Sequence, residues 1–198
     1  MEPNMFCYQC QETAKGTGCI LKGVCGKESH TAQAMDLLLF VVRGVSVVAD
    51  VLRKADCPVS EEVNIFVTDA LFCTITNANF DDESILKRVD KGITMRNGLI
   101  QEAKHNKVLL PKVDELTWQG TRDDYAGKAK TVGVLREQNE DLRSLKELLV
   151  YGLKGMAAYL EHVMRLGFND DTVHVFMQRA LALSLIHISE PTRHLRIS

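Results

Sequence analysis

The chain has 198 residues, of which 45% are hydrophobic and 25% charged, and its formal net charge is −2. That length predicts one domain, or at most two small ones, with a substantial buried core. A near-neutral chain without a block of lysine and arginine lacks the positive surface that binds a nucleic-acid backbone. We therefore expect no nucleic-acid partner.

The N-terminal and apolar segments predict a cytoplasmic protein. Residues 1–6 contain neither a basic stretch nor an apolar run, so no signal peptide is expected, and Met5 is an alternative start to Met1. The longest apolar run, LLLFVVRGVSVVADVL, is too short to span a bilayer comfortably and is interrupted by Arg43 and Asp50. We interpret it as a buried core helix and expect no membrane partner.

Hydrophobic periodicity predicts an all-α fold with five or six helices after a Cys/Gly-rich loop. The longer helices are expected over 29–55, 60–78, 82–105 and 136–166, and β-branched residues in 60–78 also suggest a strand. Asp81 is expected to cap the third of these helices, and Gly167 to end the fourth. A short helix is expected near Glu115, and a last helix is expected after an Asn169 cap. Residues 106–134 are otherwise expected to be a long connection.

Four of the six cysteines lie within the first 25 residues, in the spacing Cys7-x2-Cys10-x8-Cys19-x5-Cys25. Without an export signal, disulfides are disfavoured and metal ligation is the better interpretation. Four thiolates suit a 4Fe–4S or 2Fe–2S cluster, and a glycine-rich loop supplies backbone N–H groups to its sulfurs. A structural zinc site in a partner-binding module is the alternative, although zinc is usually held by two short C-x2–4-C pairs and only one is present.

The segments MFCYQCQETAKGTGC and KGVCGK resemble the N-terminal signature of the hybrid cluster protein family, also called prismane proteins or hydroxylamine reductases. The stretch LLVYGLKGMAAYLEHVMRLGF is similar to a long helix of that family, and the resemblance extends from Met5 to about Ala182. It implies that Cys7, Cys10, Cys19 and Cys25 bind the metal cofactor. Their compact spacing resembles that of the 4Fe–4S type, which is usual among anaerobes.

The same resemblance implies an oxidoreductase of nitrogen metabolism. The intact protein would reduce hydroxylamine to ammonia and water, or, on another view of the family, reduce nitric oxide. Its catalytic hybrid iron–sulfur–oxygen cluster would lie in two later α/β domains, so we expect no catalytic residue here and no activity of this fragment alone. The fragment would receive electrons from an unidentified donor protein. A relative built like carbon monoxide dehydrogenase is a third hypothesis.

We expect three segments: a cluster-binding loop over 1–28, a helical domain over 29–182 and a tail over 183–198. The tail sequence LSLIHISEPTR resembles a translated sequencing adapter, so we interpret it as non-native and expect the natural continuation to be missing. Cys73 is predicted to be a small buried hydrophobe and Cys57 to be inert. Gly152 and Gly155 predict that another backbone packs closely against the long helix.

Overall fold

A computed structural model of the protein describes residues 5–186, which form an all-α bundle preceded by an irregular loop. The helices are α1 (Ser29–Lys54), α2 (Glu61–Cys73), α3 (Asp82–His105), α4 (Asp114–Thr117), α5 (Arg122–Val132), α6 (Glu140–Arg165) and α7 (Asp171–Ile186). Two 3-10 turns, Ala14–Gly16 and Val134–Arg136, complete the secondary structure of the described part. The predicted fold class is confirmed, and the seven α-helices of residues 5–186 exceed the five or six expected.

Helix α1 is the centre of the bundle. Most of its residues are buried, and Leu37, Phe40 and Leu52 are fully inaccessible to solvent. It packs against α3, α5 and α7, so apolar side chains are needed on nearly every face. This explains the long apolar run. No helix within residues 5–186 has the length and apolar character needed to cross a membrane.

Local capping explains where α3 begins. The Asp81 carboxylate accepts a hydrogen bond from the Ser84 backbone N–H at 3.2 Å, as predicted. Asp82 and Glu83 occupy the first turn, where their negative charges interact favourably with the helix dipole. The predicted bounds of this helix are confirmed.

Helix α5 lies inside the stretch that was predicted to be a long connection, so that prediction was wrong. Thr121 and Asp124 form a capping box in which the Thr121 N–H donates to Asp124 Oδ2 at 2.8 Å. Tyr125 and Ala129 bury the inner face of the helix. The helix has only 11 residues, and Gly127 weakens its intrinsic propensity, so packing on α1 decides its formation.

The starts of α6 and α7 differ from the predictions because neighbouring side chains supply the caps. Asn139 Oδ1 accepts hydrogen bonds from the N–H groups of Asp141 and Leu142, so α6 begins after Asn139. Asp170, rather than Asn169, accepts from the Thr172 N–H at 2.8 Å. Asn169 instead contacts His174.

The outer surface of α6 is only partly covered. Leu153 and Leu160 are buried as expected, whereas Leu145 is 62% exposed. A Cβ atom built on Gly152 or Gly155 has no neighbour within 4 Å, so the close backbone packing predicted there is not provided by residues 5–186.

Helix α7 runs four residues past the predicted end of the helical domain at 182. Leu185 is 7% exposed and belongs to the main core. The remainder of the expected non-native tail, residues 187–198, lies outside the described residues.

Candidate metal centre

The cysteine loop, residues 5–28, is organised by a short antiparallel contact between Cys7 and Cys19. The Cys7 N–H donates to the Cys19 carbonyl at 3.0 Å, and the Cys19 N–H donates to the Cys7 carbonyl at 2.9 Å. Gly18, at φ +121°, permits the contact, because a built Cβ would lie 2.6 Å from the Phe6 ring. The first and third cysteines of the motif are thus brought side by side.

The Cys19 sulfur is surrounded by hydrogen-bond donors. The residue is 4% exposed, the Ala14 N–H donates to Sγ at 3.5 Å, and Thr13 Oγ1 lies 3.8 Å from Sγ. Burial by itself would raise the pKa of the Cys19 thiol, but hydrogen bonds from the backbones of Ala14 and Val24 outweigh it and lower the pKa. This arrangement favours a thiolate, the form that ligates metals.

Cys7 occupies a different electrostatic environment. Burial raises the pKa of its thiol, and the positive charges of Lys27 and Lys154, together with the Gln9 backbone N–H, oppose that rise. Cys7 also lines a cavity of about 740 Å³ between the loop and α6. The cavity is shared with Cys10 on the loop and with Lys154 on α6.

Cys10 and Cys25 lie in turns on either side of this contact. The Cys10 carbonyl accepts from the Thr13 N–H at 3.3 Å, and Cys10 is half-buried. Cys25 is exposed in a turn closed by the Gly23 N–H, which donates to the Lys27 carbonyl at 2.8 Å. Val24, next to Cys25, contributes the backbone hydrogen bond to Cys19 that connects this turn to the rest of the loop.

The structure brings the loop cysteines into one region without arranging them as ligands. All four are free thiols. Within residues 5–186, no group of three or more His, Cys, Asp or Glu side chains is positioned to hold a metal ion. The donor chemistry nevertheless fits a cluster, since the thiols are accompanied by sulfur-directed N–H groups and buried positive charge. Assignment of Cys7, Cys10, Cys19 and Cys25 as ligands remains a prediction.

Comparison with known proteins identifies the family. The family model described as Prismane/CO dehydrogenase family matches residues 5–186, which include the whole cysteine loop and all seven helices described above. The chain belongs to the Prismane/CO dehydrogenase family. The resemblance inferred from the cysteine motif is thereby confirmed.

Relatives within the Prismane/CO dehydrogenase family carry the name hydroxylamine reductase. The chain is 54% identical over 180 residues to one from Bacteroides thetaiotaomicron, covering 90% of this chain and 32% of the relative. It is 48% identical over 182 residues to one from Porphyromonas gingivalis, covering 91% of this chain and 33% of the relative. It is 42% identical over 208 residues to one from Clostridium botulinum, covering 92% of this chain and 36% of the relative. The chain spans about a third of the length of these curated relatives.

Two buried residues at this site were not predicted from the sequence, namely Lys27 on the loop and Lys154 beside it on α6. Lys154 had a usable signal, because it lies four residues after Val150 and three before Ala157, both buried on the inner face of α6. A lysine at such a position is unusual and marks a special environment. Lys27 had no comparable signal, because no regular element surrounds it.

The two cysteines outside the motif do not line the cavity beside the loop. Cys73 is 4% exposed and its sulfur accepts a hydrogen bond from Asn79 Nδ2 at 3.2 Å, so its predicted burial is confirmed. The Cys57 thiol donates to the Ala55 carbonyl at 3.6 Å. Cys57 therefore provides an internal control for experiments on the loop.

Proposed function

We propose that this chain is the electron-relay part of a hydroxylamine reductase, in which Cys7, Cys10, Cys19 and Cys25 hold one 4Fe–4S cluster. The observation that carries the proposal is the four-cysteine loop itself, with its cysteine thiols and sulfur-directed hydrogen bonds, in a member of the Prismane/CO dehydrogenase family. The compact spacing resembles that of the 4Fe–4S members of the hybrid cluster proteins, so we propose that type over the 2Fe–2S type.

Each group in the loop has a defined part in this proposal. The four thiolates would hold iron, and the Ala14 N–H would continue to donate to the Cys19 sulfur and stabilise its negative charge. When bound, the cluster would accept and release single electrons. No side chain of this chain is assigned as an acid, base or nucleophile.

The reaction proposed for the intact protein is the reduction of hydroxylamine by two electrons and two protons to ammonia and water. The relatives' name, hydroxylamine reductase, supports this choice over nitric oxide reduction. We place the catalytic hybrid cluster in the remaining two thirds of the intact protein. The electrons would come from a donor protein in the cytoplasm of an anaerobe.

Anaerobic reconstitution with iron and sulfide tests whether the cysteine loop binds a 4Fe–4S cluster. We expect about four irons and four sulfides per chain and a broad charge-transfer absorption. Cys19→Ala should lose most of the iron and sulfide, because Cys19 is the buried thiol with the most hydrogen-bond donors around it. Cys57→Ala, outside the motif, should bind iron as the unmodified chain does.

Two results would count against the proposal. One tightly bound zinc and no sulfide would instead support the zinc-binding interaction module. Two irons and two sulfides per chain would retain the redox role but replace the 4Fe–4S cluster with a 2Fe–2S cluster.

A further inference from the structure

One lysine on the cysteine loop and one beside it on α6 are almost completely buried. Lys27 is 2% exposed and Lys154 is 4% exposed. Lysine is rarely buried to this extent unless it is paired, because removing an ammonium group from water costs several kcal/mol. The partners of these two lysines therefore require an explanation.

The contacts that the two ammonium groups make are with neutral atoms. Lys27 Nζ donates to Met35 Sδ at 3.2 Å, and Lys154 Nζ donates to the Thr74 carbonyl at 3.1 Å. The lysines of residues 5–186 that form ion pairs are Lys22, Lys54, Lys91, Lys128 and Lys146. Neither buried lysine is among them, so neither has a carboxylate at ion-pair distance within the described part of the chain.

More distant carboxylates compensate the Lys154 charge incompletely. Asp36 and Glu147 both favour the charged form of Lys154, yet burial still lowers the pKa of Lys154 to about 8. Burial also raises the pKa of Asp36 to about 7, so this carboxyl is only partly ionised near neutral pH. An additional anion near Lys154 is thus electrostatically favoured.

The cysteine loop is where such an anion would lie. Cys7 interacts electrostatically with both lysines, and Cys7, Cys10 and Lys154 line the same cavity of about 740 Å³. A cluster held by four thiolates carries net negative charge. It would add that charge to a loop whose Cys7 already interacts electrostatically with both lysines.

We propose that Lys27 and Lys154 are positioning residues whose positive charges stabilise a cluster on the cysteine loop and raise its reduction potential. This inference rests on the proposed function. Reduction adds one electron to the cluster and breaks no bond, so it increases the negative charge by one. Nearby fixed positive charges therefore stabilise the reduced form more than the oxidised form.

The test is a redox titration of the anaerobically reconstituted 198-residue chain and its variants, with dithionite as the reductant. Lys154→Met keeps much of the side-chain volume and removes the charge, and should shift the midpoint potential to a more negative value. Lys154→Arg retains the charge and should keep the midpoint potential close to that of the unmodified chain. Lys27→Met should shift the potential in the same direction, and it provides an independent measurement if Lys154→Met fails to fold.

Lys91→Met is the matched control, because Lys91 lies on the outer surface of α3 and pairs with Glu62 at 3.4 Å. Its midpoint potential should equal that of the unmodified chain. Unchanged potentials in both Lys27→Met and Lys154→Met, at full iron and sulfide content, would overturn this inference and leave the proposed function standing. Failure of the unmodified chain to assemble any cluster would overturn the proposed function and, with it, this inference.

Discussion

At the scale of single residues, Asp36 shows how one partly buried carboxyl affects stability. It lies on α1 opposite Gly133, whose built Cβ would be 2.9 Å from Asp36 Oδ2, and it lines a cavity of about 240 Å³ with Glu147. Burial raises the pKa of Asp36 to about 7, and the Glu147 charge adds to this rise, while Lys154 opposes it. The folded chain therefore holds a proton on Asp36 that the unfolded chain releases near its ordinary pKa of 3.8.

The resulting pH dependence has a definite sign. A carboxyl whose pKa is raised on folding contributes stability that is complete below about pH 4 and is lost as the pH rises through about 7. Asp36→Asn removes this dependence, so we expect the variant to gain free energy of unfolding relative to the unmodified chain between pH 5 and pH 8. Between pH 5 and pH 8 the ceiling of this change is about 3 kcal/mol, because about two pKa units separate pH 5 from the raised pKa of about 7 and each is worth 1.36 kcal/mol.

Denaturant unfolding of the iron-free chain at pH 5 and at pH 8 measures this difference. Asp56→Asn is a suitable control, since Asp56 is exposed and its left-handed backbone conformation also suits asparagine. Parallel pH profiles for Asp36→Asn and the unmodified chain would show that Asp36 titrates normally.

At the scale of elements, close packing between α1 and α4 depends on Gly44. A Cβ built on Gly44 would lie 2.5 Å from the Glu115 backbone carbonyl oxygen and 3.1 Å from Arg96 Cδ. The same Glu115 carbonyl accepts a hydrogen bond from the Arg96 guanidinium at 2.9 Å. A backbone atom cannot move aside as the end of a side chain can.

We therefore expect Gly44→Ala to destabilise the chain by about 1–3 kcal/mol, the usual cost of overpacking. Gly98→Ala is the matched control. Gly98 is in a helix, as Gly44 is, but it is exposed and has no neighbour within 4 Å of a built Cβ. It should stabilise the chain by up to about 1 kcal/mol through helix propensity. Thermal unfolding followed by circular dichroism compares the two, and equal effects would contradict the close contact with α4.

Elements whose local signals agree with their packing were predictable from sequence. Helix α3 has an aspartate cap, an acidic first turn and a basic last turn, and its bounds were predicted correctly. Helix α5 is short and contains a glycine, so its sequence alone does not favour a helix over a loop. The decisive contribution, burial of Tyr125 and Ala129 against other helices, is tertiary and has no periodic signature in so short a segment.

At the scale of the whole molecule, the cysteine motif could be recognised from sequence, but its electrostatic environment could not. Spacing identified the four cysteines because ligand type and order along the chain are sequence properties. The approach of Lys154 to Cys7, which lies 147 residues earlier in the chain, depends on how α6 packs beside the loop. Only the folded arrangement places that lysine at the site.

The loop and the bundle are expected to respond differently to removal of iron. The main core is formed by helices α1 to α7, whereas Met5 and Cys19 of the loop form a small separate apolar cluster with Ala32 at the start of α1. Few polar contacts tie the loop to the bundle, among them the Thr76 hydroxyl donating to the Gln9 carbonyl at 3.3 Å. We therefore expect the bundle to stay folded without metal, unlike a zinc finger.

Hydrogen exchange measured by mass spectrometry, on the reconstituted chain before and after treatment with a strong iron chelator, tests this separation. Amides of residues 6–28 should exchange faster after chelation, because the cluster would no longer hold the loop closed. Peptides from α1 and α3 should keep their protection, and helical circular dichroism should be retained. Loss of protection throughout α1 on chelation would instead mean that the bundle and the loop fold as one metal-dependent unit.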